Sequence, residues 1–340
     1  MNWAFIEARV SVGQTGSTLR QVQVADFCSA SKVVIVAGKG GVGKTTVSAV
    51  LAQMAADHGL SVLLIELEGR PALAEAFGAS EPLAYEDATV YERGAGKVIA
   101  RWLTPDSALL EYLGDHGLER VSRRLVSAGV LDVVATAIPG IRDVLVLGKV
   151  KQLERSNVAD LVVLDAPATG HAVTFLTSAN GLLDAARTGP IRTQAAEVLQ
   201  MLSDPARCRV LLVTLPEEMP VSETIEAAFR LEDQAGVQLG PVMVNRLEPA
   251  QPGLAVSAAE AARAAHIRLD EVELAELEAS RQFALRRFEL QETQLERLGR
   301  ELPLPQLRIP ALVAPSIGPP ELAVLADALA ETIEELGAFQ

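Results

Sequence analysis

Cysteine is nearly absent. Cys28 and Cys208 are the only two in 340 residues, and they stand far apart. No C-x-x-C pair exists, which excludes a zinc ribbon, a dithiol redox motif and an iron–sulfur site built on paired ligands. Two lone thiols suit a reducing compartment. Aromatic residues make up only 4% of the chain, which favours helix-rich α/β packing over an all-β fold. Basic residues are outnumbered, 30 against 44 acidic ones, for a net charge of −14. That balance argues against nucleic acid and against an anionic membrane surface as partners. No apolar run approaches the length of a membrane span. The start, Met1-Asn2-Trp3-Ala4-Phe5, has neither a basic n-region nor a long apolar h-region, so the expectation is a cytoplasmic protein.

What is present is an apolar, alanine- and leucine-rich chain, 49% hydrophobic. It is long enough for one large α/β core or two modest ones. Near-continuous apolar runs at 33–37, 61–67, 160–164, 209–215 and 241–244 are separated by helical stretches. Runs of that kind predict a buried, mostly parallel, doubly wound sheet. Residues 1–31 are polar and read as an N-terminal arm or an extra strand, leaving 32–340 as the main domain. The segments 82–155 and 171–206 are too long for simple crossovers and are read as a helical subdomain on one edge of the sheet. A third helical region, 257–300, alternates charges of opposite sign, the pattern of a solvated helix face.

The sharpest signal is Gly38-Lys39-Gly40-Gly41-Val42-Gly43-Lys44-Thr45, a complete G-x-x-x-x-G-K-[ST] phosphate loop followed by Thr46. It follows the apolar strand 33–37 and opens a helical run, the context the motif needs. The glycines let the backbone curl so that several N–H groups point at one phosphate, and the helix start adds its positive dipole end. Lys44 supplies a point charge for the β- and γ-phosphates, and the Thr45 hydroxyl is placed for Mg²⁺. The acidic net charge does not oppose ATP, because binding depends on the local field of the loop.

Asp165 ends the strand 160–164, the place from which a carboxylate holds Mg²⁺ directly or through water. The residues after it, Ala166-Pro167-Ala168-Thr169-Gly170-His171, are small enough to approach a γ-phosphate and to move when it leaves. His171 reads equally well as a packing residue at a helix start. The strand 61–67 runs into Glu66-Leu67-Glu68-Gly69-Arg70-Pro71. Glu66 and Glu68 share a strand face, so two carboxylates emerge beside the loop. Asn245 follows the strand 241–244, where a side-chain amide can read adenine.

These motifs, in this order, resemble the ArsA-like family of arsenical pump-driving and tail-anchored-protein-targeting ATPases, over roughly residues 33–335. The family's loop carries an additional lysine, matched by Lys39, which the resemblance implies reaches across a dimer interface to the partner's nucleotide. Residues 165–171 resemble its switch II segment. By alignment on the following helix, Glu68 takes the place of the aspartate that positions the attacking water, and the usual D-P-A-H run reads Glu68-Gly69-Arg70-Pro71. One extra methylene there implies slow hydrolysis or a need for a partner subunit. Asn245 and the stretch 309–315, with Pro310 and Leu312, match the family's adenine contacts. The resemblance implies an ATP- and Mg²⁺-dependent ATPase, a homodimer or a heterodimer with an ArsA-like paralogue, serving a protein client or a membrane carrier. Alternatives are a weakly hydrolysing regulatory partner and the energising subunit of an anion or metalloid pump. The effector features of known members are missing: no cysteine cluster for a metalloid, no zinc clasp, no methionine-rich groove and no basic amphipathic tail.

Overall fold

The computed structural model describes residues 24–67, 71–115, 140–185, 188–249 and 251–337. An eight-stranded sheet has the order β3-β4-β2-β5-β1-β6-β7-β8. Its strands are β1 (Val33–Gly38), β2 (Ser61–Glu66), β3 (Ala88–Arg93), β4 (Gly96–Trp102), β5 (Leu161–Ala168), β6 (Cys208–Thr214), β7 (Val242–Leu247) and β8 (Gln306–Pro310). Only β3, paired with β4, runs antiparallel. The fold is α/β and doubly wound, and β1, which feeds the phosphate loop, lies between β5 and β6.

Strand alternation sorts β1 into two cores. Val33, Ile35 and Ala37 face one, and Val34 and Val36 face the other. The first core is covered by α5 (Ile141–Arg155), α6 (Thr169–Ala185), α7 (Pro190–Ser203) and α8 (Glu218–Ala235). The second is covered by α1 (Val24–Ser29), α2 (Lys44–Asp57), α3 (Ala72–Ala76) and α11 (Pro319–Gly337). Helix α2 is buried along most of its length. Its apolar residues go all the way round, as expected of a helix sandwiched between the sheet and α11. The remaining helices are α4 (Pro105–Asp115), the short α9 (Ala258–Ala264) and the long α10 (Glu271–Glu301).

Helix α10 has 31 residues, about 46 Å of helix. Its buried residues, Gln291, Gln294, Leu295 and Leu298, all lie in its last third. The earlier part holds α9 through a bond from the Ala258 N–H to Glu278, and the turn before α9 through a bond from Arg281 to the Leu254 carbonyl.

Two expectations are corrected. Residues 88–102, read as part of a helical segment, are the antiparallel pair β3–β4. The alternation of Val98 and Ala100 inward, with the Gly94–Gly96 turn, overrides the helical reading of their surroundings. Residues 24–29 of the supposed arm form α1, with Val24 and Cys28 buried; residues 1–23 lie outside the described residues. The edge strand β8 (Gln306–Pro310) takes in the first two residues of the stretch 309–315 matched to the family's adenine contacts. Helices α5 to α7 share one core with the sheet face, and the middle of the helical insert, 116–139, lies outside the described residues.

Candidate functional site

The phosphate loop joins β1 to α2. Gly41 and Gly43 both take φ 88°, a left-handed conformation that side chains resist. Two glycines are also required by close approach. A Cβ on Gly38 would stand 2.5 Å from the Val213 carbonyl oxygen, and one on Gly43 would stand 2.3 Å from Asn245 Nδ2. Gly43 caps α2, with the Val47 N–H donating to its carbonyl at 2.9 Å. The helix's first free N–H groups and dipole are thereby presented at the loop. Lys44 Nζ donates to the Lys39 carbonyl at 3.3 Å, holding the ammonium across the loop.

Beneath the loop stands Asp165, 7% exposed and in register with Val36 of β1 and Glu66 of β2. Thr45 Oγ1 donates to Asp165 Oδ2 at 2.7 Å, and Ser48 Oγ donates to Oδ1 at 3.1 Å. Both expected metal-holding residues are thus in direct contact. A hydroxyl and a carboxylate at the phosphate loop are the hard oxygen donors that Mg²⁺ accepts, with phosphate and water completing its shell. Ser48 was missed from sequence, although it lies one helical turn beyond Thr45 on the same face. Glu66 is buried at 2% exposure. Glu68 lies outside the described residues. Pro167 belongs to β5, and Thr169, Gly170 and His171 open α6.

Asn245 is buried at 4% exposure. Its Nδ2 donates to the Val42 carbonyl at 2.9 Å, and its Oδ1 accepts from the Arg246 N–H at 2.9 Å. This amide therefore ties β7 to the phosphate loop, a task the sequence did not reveal. Beside it lies a cleft of about 500 Å³, bounded by Thr46, Asn245, Pro310, Leu312 and Pro315. Four residues predicted for nucleotide contact are thus gathered on one cavity. Lys39 is instead ion-paired with Glu223 of α8 in the same chain.

The thiols stand elsewhere. Cys28 and Cys208 belong to the cores on opposite sides of the sheet, and burial pushes each up to about 12. Among the described residues no group of three or more His, Cys, Asp or Glu could hold a metal ion.

A phosphate loop between a parallel strand and a helix, braced by a strand-borne aspartate on the loop threonine, defines a P-loop ATPase. The family model described as anion-transporting ATPase matches residues 31–188. ATPase BagA of Mycobacterium tuberculosis is 38% identical over 231 residues, covering 65% of this chain and 67% of that protein. An arsenical pump-driving ATPase of Escherichia coli is 30% identical over 216 residues, 63% of this chain and 34% of that protein. ATPase get3 of Schizosaccharomyces japonicus is 32% identical over 145 residues, 43% of each chain. The chain belongs to the ArsA-like ATPase family, and it is an ATPase.

Proposed function

We propose that this chain is a dimeric nucleotide switch that couples ATP hydrolysis to the handling of a protein client. The observation that carries the reading is the seat of Asp165. The carboxylate that braces Thr45 lies in β5, four residues before the start of α6. A change at the loop's γ-phosphate position is therefore felt at the root of a helix on the insert side. In this reading Lys44 and the loop N–H groups hold the β- and γ-phosphates. Thr45 and Asp165 hold Mg²⁺, which neutralises charge developing on the phosphate oxygens. Ser48 fixes the rotamer of Asp165. Glu68 takes the water-positioning role by resemblance. Asn245, Thr46, Pro310 and Leu312 seat the adenine. Lys39 completes the site of a second subunit, and the helical insert carries the client surface.

Charge and thiol placement favour this over a metalloid pump motor. Two protonated thiols in separate cores do not make a soft-metal site. The cis pairing of Lys39 with Glu223 also favours, as a second reading, a chain that waits for an ArsA-like paralogue to draw Lys39 away. Among the described residues no helix is long and apolar enough to cross a membrane. In this reading the switch works in the cytoplasm, and any membrane carrier is a separate partner.

Light scattering in ATP and in ADP tests the switch. An ATP-dependent dimer that Lys39→Ala abolishes is the expected result; a monomer in both nucleotides overturns it. A dimer formed only after adding the paralogue selects the second reading.

A further inference from the structure

Arg246 occupies a backbone position that arginine does not choose freely. Its φ is 56°, in the left-handed region. Between β7 and β8 the register slips: Val244 stands opposite Arg308 and Leu247 opposite Pro310. Asn245 and Arg246 thus share the space opposite one residue of β8, a bulge that re-aims a side chain. Strain of this kind persists where the surroundings hold it, and it clusters at ligand sites. Here the Asn245 amide holds it, accepting from the Arg246 N–H.

The bulge sets Arg246 on the wall of the 500 Å³ cleft that also holds Asn245, Pro310 and Leu312. It lines a second groove as well, toward Phe283 and Arg287 of α10. It is exposed, and it is the only charged side chain among the described residues lining the cleft. The nearby carboxylate Glu248 is already paired with Arg287. Among the described residues no ion pair engages the Arg246 guanidinium. An exposed planar cation faces a cleft whose other walls are proline and aliphatic side chains together with the uncharged polar Thr46, Asn245 and Ser316.

We propose that Arg246 is a base-binding residue. Its guanidinium lies on one face of the nucleotide's purine ring, and Pro310 and Leu312 cover the other. This rests on the reading of the cleft as the adenine pocket. Stacking suits the geometry better than phosphate contact, because none of the loop residues 38–45 lines this cleft. A guanidinium over a ring face gains cation–π attraction, and its planarity gives it stacking that a lysine ammonium lacks.

The test is calorimetric titration of ATP, ADP and inorganic tripolyphosphate into the wild-type chain, Arg246→Asn and Arg246→Lys. Asparagine tolerates the left-handed region, and tripolyphosphate binding on the same sample reports an intact loop. In Arg246→Asn the expected result is an equal loss for ATP and ADP, roughly 3- to 30-fold, with tripolyphosphate unchanged. Arg246→Lys should recover only part of the loss. Unchanged ATP affinity in Arg246→Asn overturns the inference. An equal loss for tripolyphosphate also overturns it, since Arg246 would then serve the phosphates. If the wild type binds tripolyphosphate but gains nothing from the adenosine moiety of ATP, the adenine-pocket reading itself falls.

Discussion

Thr45 Oγ1 donates to Asp165 Oδ2 at 2.7 Å, so the last residue of the phosphate loop and the carboxylate of the neighbouring strand are already joined. Neither group has far to move to share a Mg²⁺ ion. Asp165→Asn keeps the shape and removes the charge on which the proposed Mg²⁺ site relies. Its ATP turnover should fall roughly 100-fold or more, and the Mg²⁺ dependence of ADP binding should flatten in the same titration. Ser48→Ala leaves Asp165 Oδ1 without this donor. It should cost about 1 kcal/mol, or three- to tenfold in turnover. Equal effects of the two variants would contradict the assignment of Ser48 as a support for Asp165.

Asn245 and Gly43 form a lock. The amide reaches the Val42 carbonyl at 2.9 Å because Gly43 has no Cβ to block it. Asn245→Ala leaves a buried carbonyl without its partner and should cost about 1–3 kcal/mol of stability. Gly43→Ala brings both a clash and a left-handed alanine, and should cost at least as much. The double variant should be less destabilised than the sum, because removing the amide also removes the clash. Denaturant midpoints of the four proteins decide the matter, and strict additivity would sink the lock.

Lys39 and Glu223 are paired within one chain, and the second oxygen of Glu223 is buried with no hydrogen-bond partner among the described residues. The pair is partly exposed and is worth at most about 1 kcal/mol. Glu223→Ala should therefore barely change the melting temperature. If Lys39 acts across a dimer, the same variant should raise ATP turnover, most at high protein concentration. Turnover that falls on removing Glu223 would show that the pair is needed where it is.

Burial holds the Cys28 and Cys208 thiols up to about 12. In the unfolded chain a cysteine titrates near ~8.5. Between those values the folded state keeps protons that the unfolded state has lost. The thiols' contribution to stability is thus whole below ~8.5 and declines as pH rises toward 12. A Cys28→Ala/Cys208→Ala variant should lose less stability between pH 8 and pH 10.5 than the wild type does. A thiol reagent at neutral pH should label neither cysteine until denaturant is added. Fast labelling of the native protein would contradict the burial.

Five of the six interior strands, β1, β2, β5, β6 and β7, were legible because each is a short apolar run with both faces covered. The phosphate loop was legible because its glycines and lysine are required at fixed spacing. Strands β3 and β4 were not, since β3 is largely exposed at the sheet edge and lacks the apolar run that marks a buried strand. Asp165 could be read because it directly follows the apolar run 160–164, although β5 itself continues to Ala168, and Ser48 could have been read from helical spacing. The bond from Asn245 to Val42 and the pairing of Lys39 with Glu223 join residues some two hundred positions apart. Contacts of that range depend on which strands become neighbours, and no local pattern encodes them. The bulge at Arg246 is of the same kind, because it exists only once β8 pairs with β7.

The most direct measurement is phosphate release from ATP by the purified chain beside its Lys44→Ala variant, with Mg²⁺ present and then chelated. The ATPase reading requires turnover in the wild type that disappears both in Lys44→Ala and on chelation. Turnover that survives in Lys44→Ala would place hydrolysis somewhere other than this loop and would contradict the site described above.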